Sequence, residues 1–118
     1  MSKIRILIVE DERIIAEDIK VTLQKLNYEI AGIVATGEEA IVNAGELHPD
    51  IILMDILLET AMDGIEAAEK IQTKHDIPVI FLTAHADNKT LQRVTSSDFY
   101  GYILKPFKDK ELHATINM

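Results

Sequence analysis

The chain has 118 residues, of which 47% are hydrophobic and 27% charged, a composition typical of a single globular domain with its own core. Its formal net charge of −8 argues against direct binding to nucleic acid or to an anionic membrane, because both require a basic surface. The absence of cysteine excludes disulfides and thiolate metal sites, and no apolar run is long enough for a signal peptide or a membrane span, so we expect a cytoplasmic protein.

Five short stretches have the character of β-strands. Four of them are apolar runs rich in branched residues, as expected for parallel strands that are covered on both faces. A further strand is predicted to lead into the polar segment at Thr36. In chain order, the predicted strands cover 6–9, 29–35, 51–54, 79–82 and 102–104.

The intervals between these strands show the three- and four-residue spacing of amphipathic helices. Two of the helices begin with capping-box patterns, at Thr36–Glu39 and Asp63–Glu66. The predicted helices are, in chain order, one that Asn27 ends with a left-handed cap, 37–47, 64–75, a weak polar helix over 88–97, and one from about Asp109 onward.

A strand followed by a helix, repeated five times, predicts an α/β fold with a doubly wound, five-stranded parallel sheet. No linker or repeat interrupts this order, so residues 1–118 form one domain. The last helix stops at Met118 after barely two turns, and so short a helix is marginal alone. We therefore expect the parent chain to continue beyond Met118 into an output segment.

Polar residues follow four of the predicted strands directly. The carboxyl ends of parallel strands meet at one edge of the sheet, where ligands of such folds bind. This edge should therefore gather carboxylates, a hydroxyl and an ammonium group, from Glu10, Asp11, Asp55, Thr83 and Lys105. That combination suits a divalent metal together with a phosphoryl group.

The acids at this edge predict a metal site. Taken alone, Asp55 would more often be a loop or capping aspartate, but Glu10 and Asp11 end a second strand at the same edge. Carboxylates brought together in this way repel one another unless a cation lies between them. An all-oxygen ligand set without nearby histidine or cysteine favours Mg²⁺ or Mn²⁺ over zinc.

Two further groups suit a phosphoryl ligand. Lys105 carries a flexible positive charge at the end of an apolar strand, although most isolated lysines are only surface residues. Thr83 offers a hydroxyl, and the small Ala84 after it leaves a backbone N–H accessible to an anion. The four histidines are dispersed without ligand spacing, and we interpret them as surface residues, with His85, two residues after Thr83, as the one placed to face the site.

The whole chain resembles the receiver domain of two-component response regulators. The resemblance is highly specific as a set and consists of Glu10-Asp11, Asp55, Met62-Asp63-Gly64, Thr83-Ala84, Lys105-Pro106 and the stretch 101–107. It implies a flavodoxin-like fold and a phosphoacceptor switch in a phosphorelay. Such a domain catalyses its own phosphorylation and dephosphorylation but is not a turnover enzyme.

The resemblance also assigns roles. Asp55 would accept a phosphoryl group from a histidine kinase or a phosphotransfer domain, with Thr83, Ala84 and Lys105 around it. Mg²⁺ would be held directly by Asp11, Asp55 and the backbone carbonyl of Leu57, and through water by Glu10. Tyr102 would swing inward behind Thr83. The surface of the predicted 88–97 helix, the fifth strand and the last helix would then change, for docking a downstream output domain or protein, or for forming a homodimer.

The sequence departs from the family pattern in three places. Glu10 stands where aspartate is commoner, and the loop 57–61 lacks the usual proline and looks one residue longer. Lys108 occupies a position where a capping aspartate is frequent, so the last helix should begin at Asp109. None of these changes touches Asp55, Thr83 or Lys105.

Three other functions compete with this interpretation. A Mg²⁺-dependent phosphohydrolase with an aspartyl nucleophile would usually carry a second acid two residues later, where this chain has Leu57. A receiver that only serves as a docking scaffold would not need every acceptor-site residue class. A flavodoxin-like cofactor binder would need a Ser/Thr/Gly-rich phosphate loop after the first strand, and the sequence has none there.

Overall fold

Five parallel strands form the central sheet of the computed structural model, which describes residues 3–56, 58, 62–83, 92, 101–104 and 108–117, with the backbone only at 83, 102 and 104. The strands are β1 (Arg5–Val9), β2 (Glu29–Val34), β3 (Ile51–Asp55), β4 (Val79–Thr83) and β5 (Gly101–Leu104). They lie in the order β2-β1-β3-β4-β5, so that β1 and β3 occupy neighbouring central positions. The predicted parallel sheet is confirmed, although β2 ends at Val34, one residue earlier than predicted.

Four helices within the described part of the chain cover the two faces of this sheet. They are α1 (Arg13–Lys25), α2 (Gly37–Leu47), α3 (Gly64–His75) and α4 (Asp109–Ile116). The helix predicted over 88–97 lies outside the described residues except for Gln92, which is helical. No helix among the described residues is both long and apolar enough to cross a membrane.

The hydrophobic core has two halves, one on each face of the sheet. Alternate residues of the inner strands point to opposite faces, as Leu7 and Ile8 do on β1. One half packs under α2 and α3, with Ala44 and Ile71 buried there. The other packs under α1 and α4, and it buries Leu23 among others. The sheet is therefore doubly wound, as the apolar runs within its strands predict.

Local signals in the sequence set the helix boundaries. Thr36 Oγ1 accepts a hydrogen bond from the Glu39 amide at 3.1 Å, and Asp63 Oδ1 accepts one from the Glu66 amide at 3.0 Å. Both predicted capping residues thus act as N-caps. At the other ends, three residues adopt left-handed backbone conformations that stop the chain from continuing as a helix: Asn27, His48 and Asp76, with φ of 72°, 49° and 52°.

Candidate functional site

Two neighbouring strands bring three carboxylates together. Glu10 and Asp11 follow β1, and Asp55 is the last residue of β3, whose Met54 pairs with Val9 of β1. One oxygen from each of the three carboxylates lies within 4.8 Å of the others. The predicted convergence of these three acids at the carboxyl edge of the sheet is therefore present.

Two of the three acids are buried. Glu10 is 3% exposed and Asp55 is 8% exposed, whereas Asp11 lies partly open at the surface. Asp55 is thus less accessible than its position before a loop suggested. Three carboxylates this close together repel one another, so this edge of the sheet favours binding of a cation.

The main chain holds Glu10 in place. Its amide donates to the Val34 carbonyl at 3.0 Å, which extends the pairing of β1 with β2 by one residue. Its Oε1 accepts a hydrogen bond from the Glu12 amide at 3.3 Å. The longer glutamate side chain is therefore anchored at the start of α1, with its carboxylate still in the acidic cluster.

The donor set fits a hard divalent cation. All three side chains offer carboxylate oxygen, and the described residues contain no other group of histidine, cysteine and acidic side chains with the spacing of metal ligands. Oxygen-only ligation with few protein carboxylates is typical of Mg²⁺. The cluster Glu10, Asp11 and Asp55 could therefore bind a metal ion of this class.

The next two strands place the backbone of Thr83 and Tyr102, the two predicted switch residues, in the same sheet. Ile56 continues β3 and donates its amide to the Leu82 carbonyl at 3.3 Å, so β3 and β4 stay paired up to Thr83. On β5, Tyr102 pairs with Phe81 of β4. Of the remaining predicted site residues, Leu57, Ala84 and Lys105 lie outside the described residues.

A groove opens beside the acidic cluster, on the side of the edge strand β2. It encloses about 410 Å³ between the first turn of α1 and the end of β2. Its lining includes Glu10 and Asp11 from the cluster, and Arg13, Ile33 and Glu39 from the surrounding elements. Arg13 carries no motif in the sequence, and Glu39 was predicted only as part of the capping box at Thr36, so neither was a candidate site residue.

The predicted surface position of the histidines is confirmed where it can be assessed. His48, His75 and His113 are exposed. Of these, His113 is hydrogen bonded to Tyr28 and Asn117 rather than to any acid of the cluster. His85 lies outside the described residues.

Comparisons with known proteins agree with this geometry. The family model of the response regulator receiver domain matches residues 6–117. The transcriptional regulatory protein PdtaR of Mycobacterium tuberculosis is 36% identical over 115 residues, which are 97% of this chain and 55% of that protein. The probable C4-dicarboxylate response regulator DctR of Halalkalibacterium halodurans is 35% identical over 96% of this chain and 50% of its own length. The chain thus spans about half the length of these relatives.

Solved structures match over nearly the whole chain. The signal receiver domain of a modulated diguanylate cyclase from Desulfovibrio desulfuricans has a TM-score of 0.92 and 38% identity, covering 99% of this chain and 93% of its own. The receiver domain of a Pseudomonas aeruginosa sensor histidine kinase, with a magnesium ion in its active-site cleft, has a TM-score of 0.87 and 31% identity, covering 98% and 96%. On this sequence and structural evidence, the chain belongs to the response regulator receiver domain family.

Proposed function

We propose that this domain is a phosphoacceptor switch in which Asp55 receives a phosphoryl group from the phosphohistidine of a histidine kinase or phosphotransfer domain. The observation that carries the proposal is the meeting of Glu10, Asp11 and Asp55 within 4.8 Å at the carboxyl ends of β1 and β3. Membership of the receiver family supports the same assignment.

A divalent ion, Mg²⁺ or Mn²⁺, is the cofactor that suits this cluster. Asp11 and Asp55 would hold the ion directly, Glu10 would act through water, and the Leu57 backbone carbonyl would complete the protein ligands. When bound, the ion offsets the negative charge that gathers during phosphoryl transfer. The related receiver from Pseudomonas aeruginosa with magnesium in its cleft supports this choice.

The reaction needs only one nucleophile from this chain. A carboxylate oxygen of Asp55 attacks phosphorus, the P–O bond of an acyl phosphate forms, and the P–N bond to the donor imidazole breaks. The bonding electron pair goes to the imidazole nitrogen, which takes up a proton. The Thr83 hydroxyl, the Ala84 amide and the Lys105 ammonium group would hold the phosphoryl oxygens, as the family pattern implies.

Burial of the acceptor explains why such a domain would act as a switch rather than as a hydrolase of free substrates. Asp55 is only 8% exposed, which limits the access of water to the acyl phosphate. The domain would catalyse its own phosphorylation and slow dephosphorylation, and it would not turn over a free metabolite.

The pairing of β4 with β5 would carry the signal from the phosphorylated site to the output surface. Thr83 ends β4, and Tyr102 lies on β5 beside Phe81, so a movement of Thr83 toward the phosphoryl group has a short route to Tyr102. The responding surface would comprise β5, α4 and the predicted 88–97 helix. It would dock a downstream output domain or a second copy of the domain.

We propose that the domain acts in the cytoplasm, without direct contact with nucleic acid or membrane.

Labelling with a small phosphodonor tests the acceptor. Acetyl phosphate or phosphoramidate with Mg²⁺ should add one phosphoryl group to the wild type, measured by intact mass, and EDTA should prevent the addition. Asp55→Asn should remain unlabelled. Asp18→Asn, which changes an exposed acid on α1, should be labelled like the wild type. An unlabelled wild type, or full labelling of Asp55→Asn, would refute the proposal.

A further inference from the structure

Gly64, the first residue of α3, lies directly against the main chain of the phosphoacceptor. A Cβ atom at this position would overlap the carbonyl oxygen of Asp55. It would also lie 3.0 Å from the Asp55 carbonyl carbon and 2.9 Å from Cγ of Met54. Backbone atoms in a paired strand cannot rotate away as a side chain can, so any residue larger than glycine must displace either the start of α3 or Asp55 itself.

The other glycines of the chain, all within its described residues, face a different kind of neighbour. A Cβ at Gly37 would lie 3.0 Å from Cβ of Ala67, and one at Gly45 would lie 3.0 Å from Cε1 of His75. One at Gly101 would only reach ordinary contact, 3.6 Å from Cγ2 of Thr115. Those neighbouring atoms belong to side chains. The close approach to main-chain atoms of the acceptor is therefore particular to Gly64.

A second contact ties Gly64 to the same segment. Its amide donates to the carbonyl of Ile56 at 2.8 Å, which joins the two ends of the loop between β3 and α3. The Ile56 amide in turn donates to the Leu82 carbonyl, next to Thr83. The Asp63 cap fixes the first turn of α3 from the other side. A shift of α3 would therefore move the acceptor and the end of β4 as well, because backbone contacts connect the three segments.

We propose that Gly64 is a positioning residue for phosphorylation. The absence of its side chain lets α3 press against Asp55 and hold the carboxylate at the distance from Glu10 and Asp11 that metal binding and attack on phosphorus require. This inference rests on the proposed function. A displacement of about 1 Å can lower a reaction rate roughly a hundredfold. A single added methyl group at Gly64 should therefore slow phosphorylation of Asp55.

Gly64→Ala and Gly37→Ala form a matched pair of variants. Both glycines are buried, both follow an N-cap, and both begin a helix. They differ in that Gly37 faces the side chains of Ala67 and Met62, whereas Gly64 faces the acceptor backbone. A general cost of crowding or of helix initiation should therefore appear in both variants, but a displaced acceptor should appear in Gly64→Ala alone.

The experiment measures labelling by acetyl phosphate and Mg²⁺ affinity at a temperature where circular dichroism shows each variant to be folded. At saturating Mg²⁺, Gly64→Ala should label about 10²-fold more slowly than the wild type. Its Mg²⁺ affinity should fall by about tenfold. Gly37→Ala should retain wild-type affinity and rate. Equal losses in the two variants, or none in Gly64→Ala, would overturn the inference.

A measurement on the wild type covers the case in which Gly64→Ala does not fold. The Gly64 amide should exchange with deuterium as slowly as the amide of Ile71 in the middle of α3, since it donates to Ile56. Exchange at the rate of an open loop would overturn the inference. If the wild type takes no phosphoryl group, the proposed function fails, whereas the Mg²⁺ affinities of the two glycine variants still test whether Gly64 positions Asp55 for metal binding.

Discussion

The hydroxyl of Tyr28 lies 2.9 Å from Nδ1 of His113 and so joins the start of β2 to α4, 85 residues further along the chain. Nδ2 of Asn117 donates to the same hydroxyl at 2.7 Å, and the Tyr28 and His113 rings pack with their centroids 5.9 Å apart. The tyrosine hydroxyl therefore bonds two groups of the C-terminal segment, His113 and Asn117. Because α4 has only eight residues, it depends on such contacts and on the burial of Leu112 and Ile116.

Removing this hydroxyl should loosen α4. Tyr28→Phe keeps the buried ring but loses both hydrogen bonds, and we expect a loss of about 1 kcal/mol in the free energy of unfolding. For a domain of this size, that corresponds to a fall in melting temperature of about 4 °C. Thr73→Ala removes an exposed hydroxyl on α3 and serves as the control, with little change expected. Equal melting temperatures for Tyr28→Phe and the wild type would show that the network does not stabilise the fold.

Ionisation of Tyr28 should make the stability of the domain depend on pH in the alkaline range. Burial raises the pKa of Tyr28 above its ordinary value of 10.0, and the hydrogen bond from Asn117 opposes this only in part. The pKa of Tyr28 is higher in the folded state than in the unfolded state, so the neutral side chain contributes to the free energy of unfolding. This contribution is complete below pH 10.0 and is lost as the pH rises through the pKa of the folded state. Urea unfolding from neutral pH upward should show a steeper alkaline loss of stability in the wild type than in Tyr28→Phe. Parallel curves would contradict this assignment.

Arg5 should stabilise the end of α2 through its hydrogen bonds to the main chain. Its Nη1 donates to the carbonyl of Leu47 at 2.7 Å, whereas its ion pair with Glu29, at 3.1 Å, is exposed. We expect Arg5→Ala to cost about 1–2 kcal/mol in the free energy of unfolding, because the last turn of α2 loses a charged donor. Glu29→Gln should cost less than about 0.5 kcal/mol. Chemical denaturation measures both, and a larger effect of Glu29→Gln would reverse the ranking.

Much of the fold could be predicted because the governing signals are local. The inner strands are apolar except for Arg5, Asp55 and Thr83 at their ends, since helices cover both faces. The caps at Thr36 and Asp63 act within four residues of themselves. The acidic cluster was predictable because the ends of parallel strands share one edge. The chain order alone therefore brought Glu10 and Asp55 to the same place.

The remaining features depend on contacts between distant parts of the chain. The residues that neighbour Tyr28 in sequence do not indicate its hydrogen bond to His113. The residues around Gly64 likewise do not indicate that the start of α3 contacts the main chain of Asp55. The burial of Asp55 was underestimated as well, because exposure depends on packing that the local sequence does not report. Left-handed conformations at His48 and Asp76 were not predicted, because neither residue is the glycine or asparagine usual at helix ends.

Metal binding should stabilise the domain. Without a cation, the carboxylates of Glu10, Asp11 and Asp55 repel one another in the folded state only. Mg²⁺ at 100 times its Kd should therefore add about 2.7 kcal/mol to the free energy of unfolding. Thermal melts with Mg²⁺ and with EDTA measure the effect.

Asp55→Asn should be more stable than the wild type in EDTA and should gain less from Mg²⁺, whereas Asp18→Asn should behave like the wild type. A melting temperature indifferent to Mg²⁺, in protein that binds it, would contradict the prediction.

The hydroxyl of Thr83 should couple the acceptor to the output surface. Thr83 ends β4, and the β4–β5 pairing places Tyr102 two residues before the partner of Thr83. Thr83→Ala should still accept a phosphoryl group, because Asp55 and its metal ligands are unchanged, but Tyr102 should no longer respond. Thr83→Ser keeps the hydroxyl and should respond like the wild type, while Lys105→Ala should impair both labelling and response by removing the counter-charge. NMR shifts of Tyr102 on binding of beryllofluoride with Mg²⁺ report the coupling. Identical shifts in Thr83→Ala and the wild type would show that the signal reaches β5 by another route.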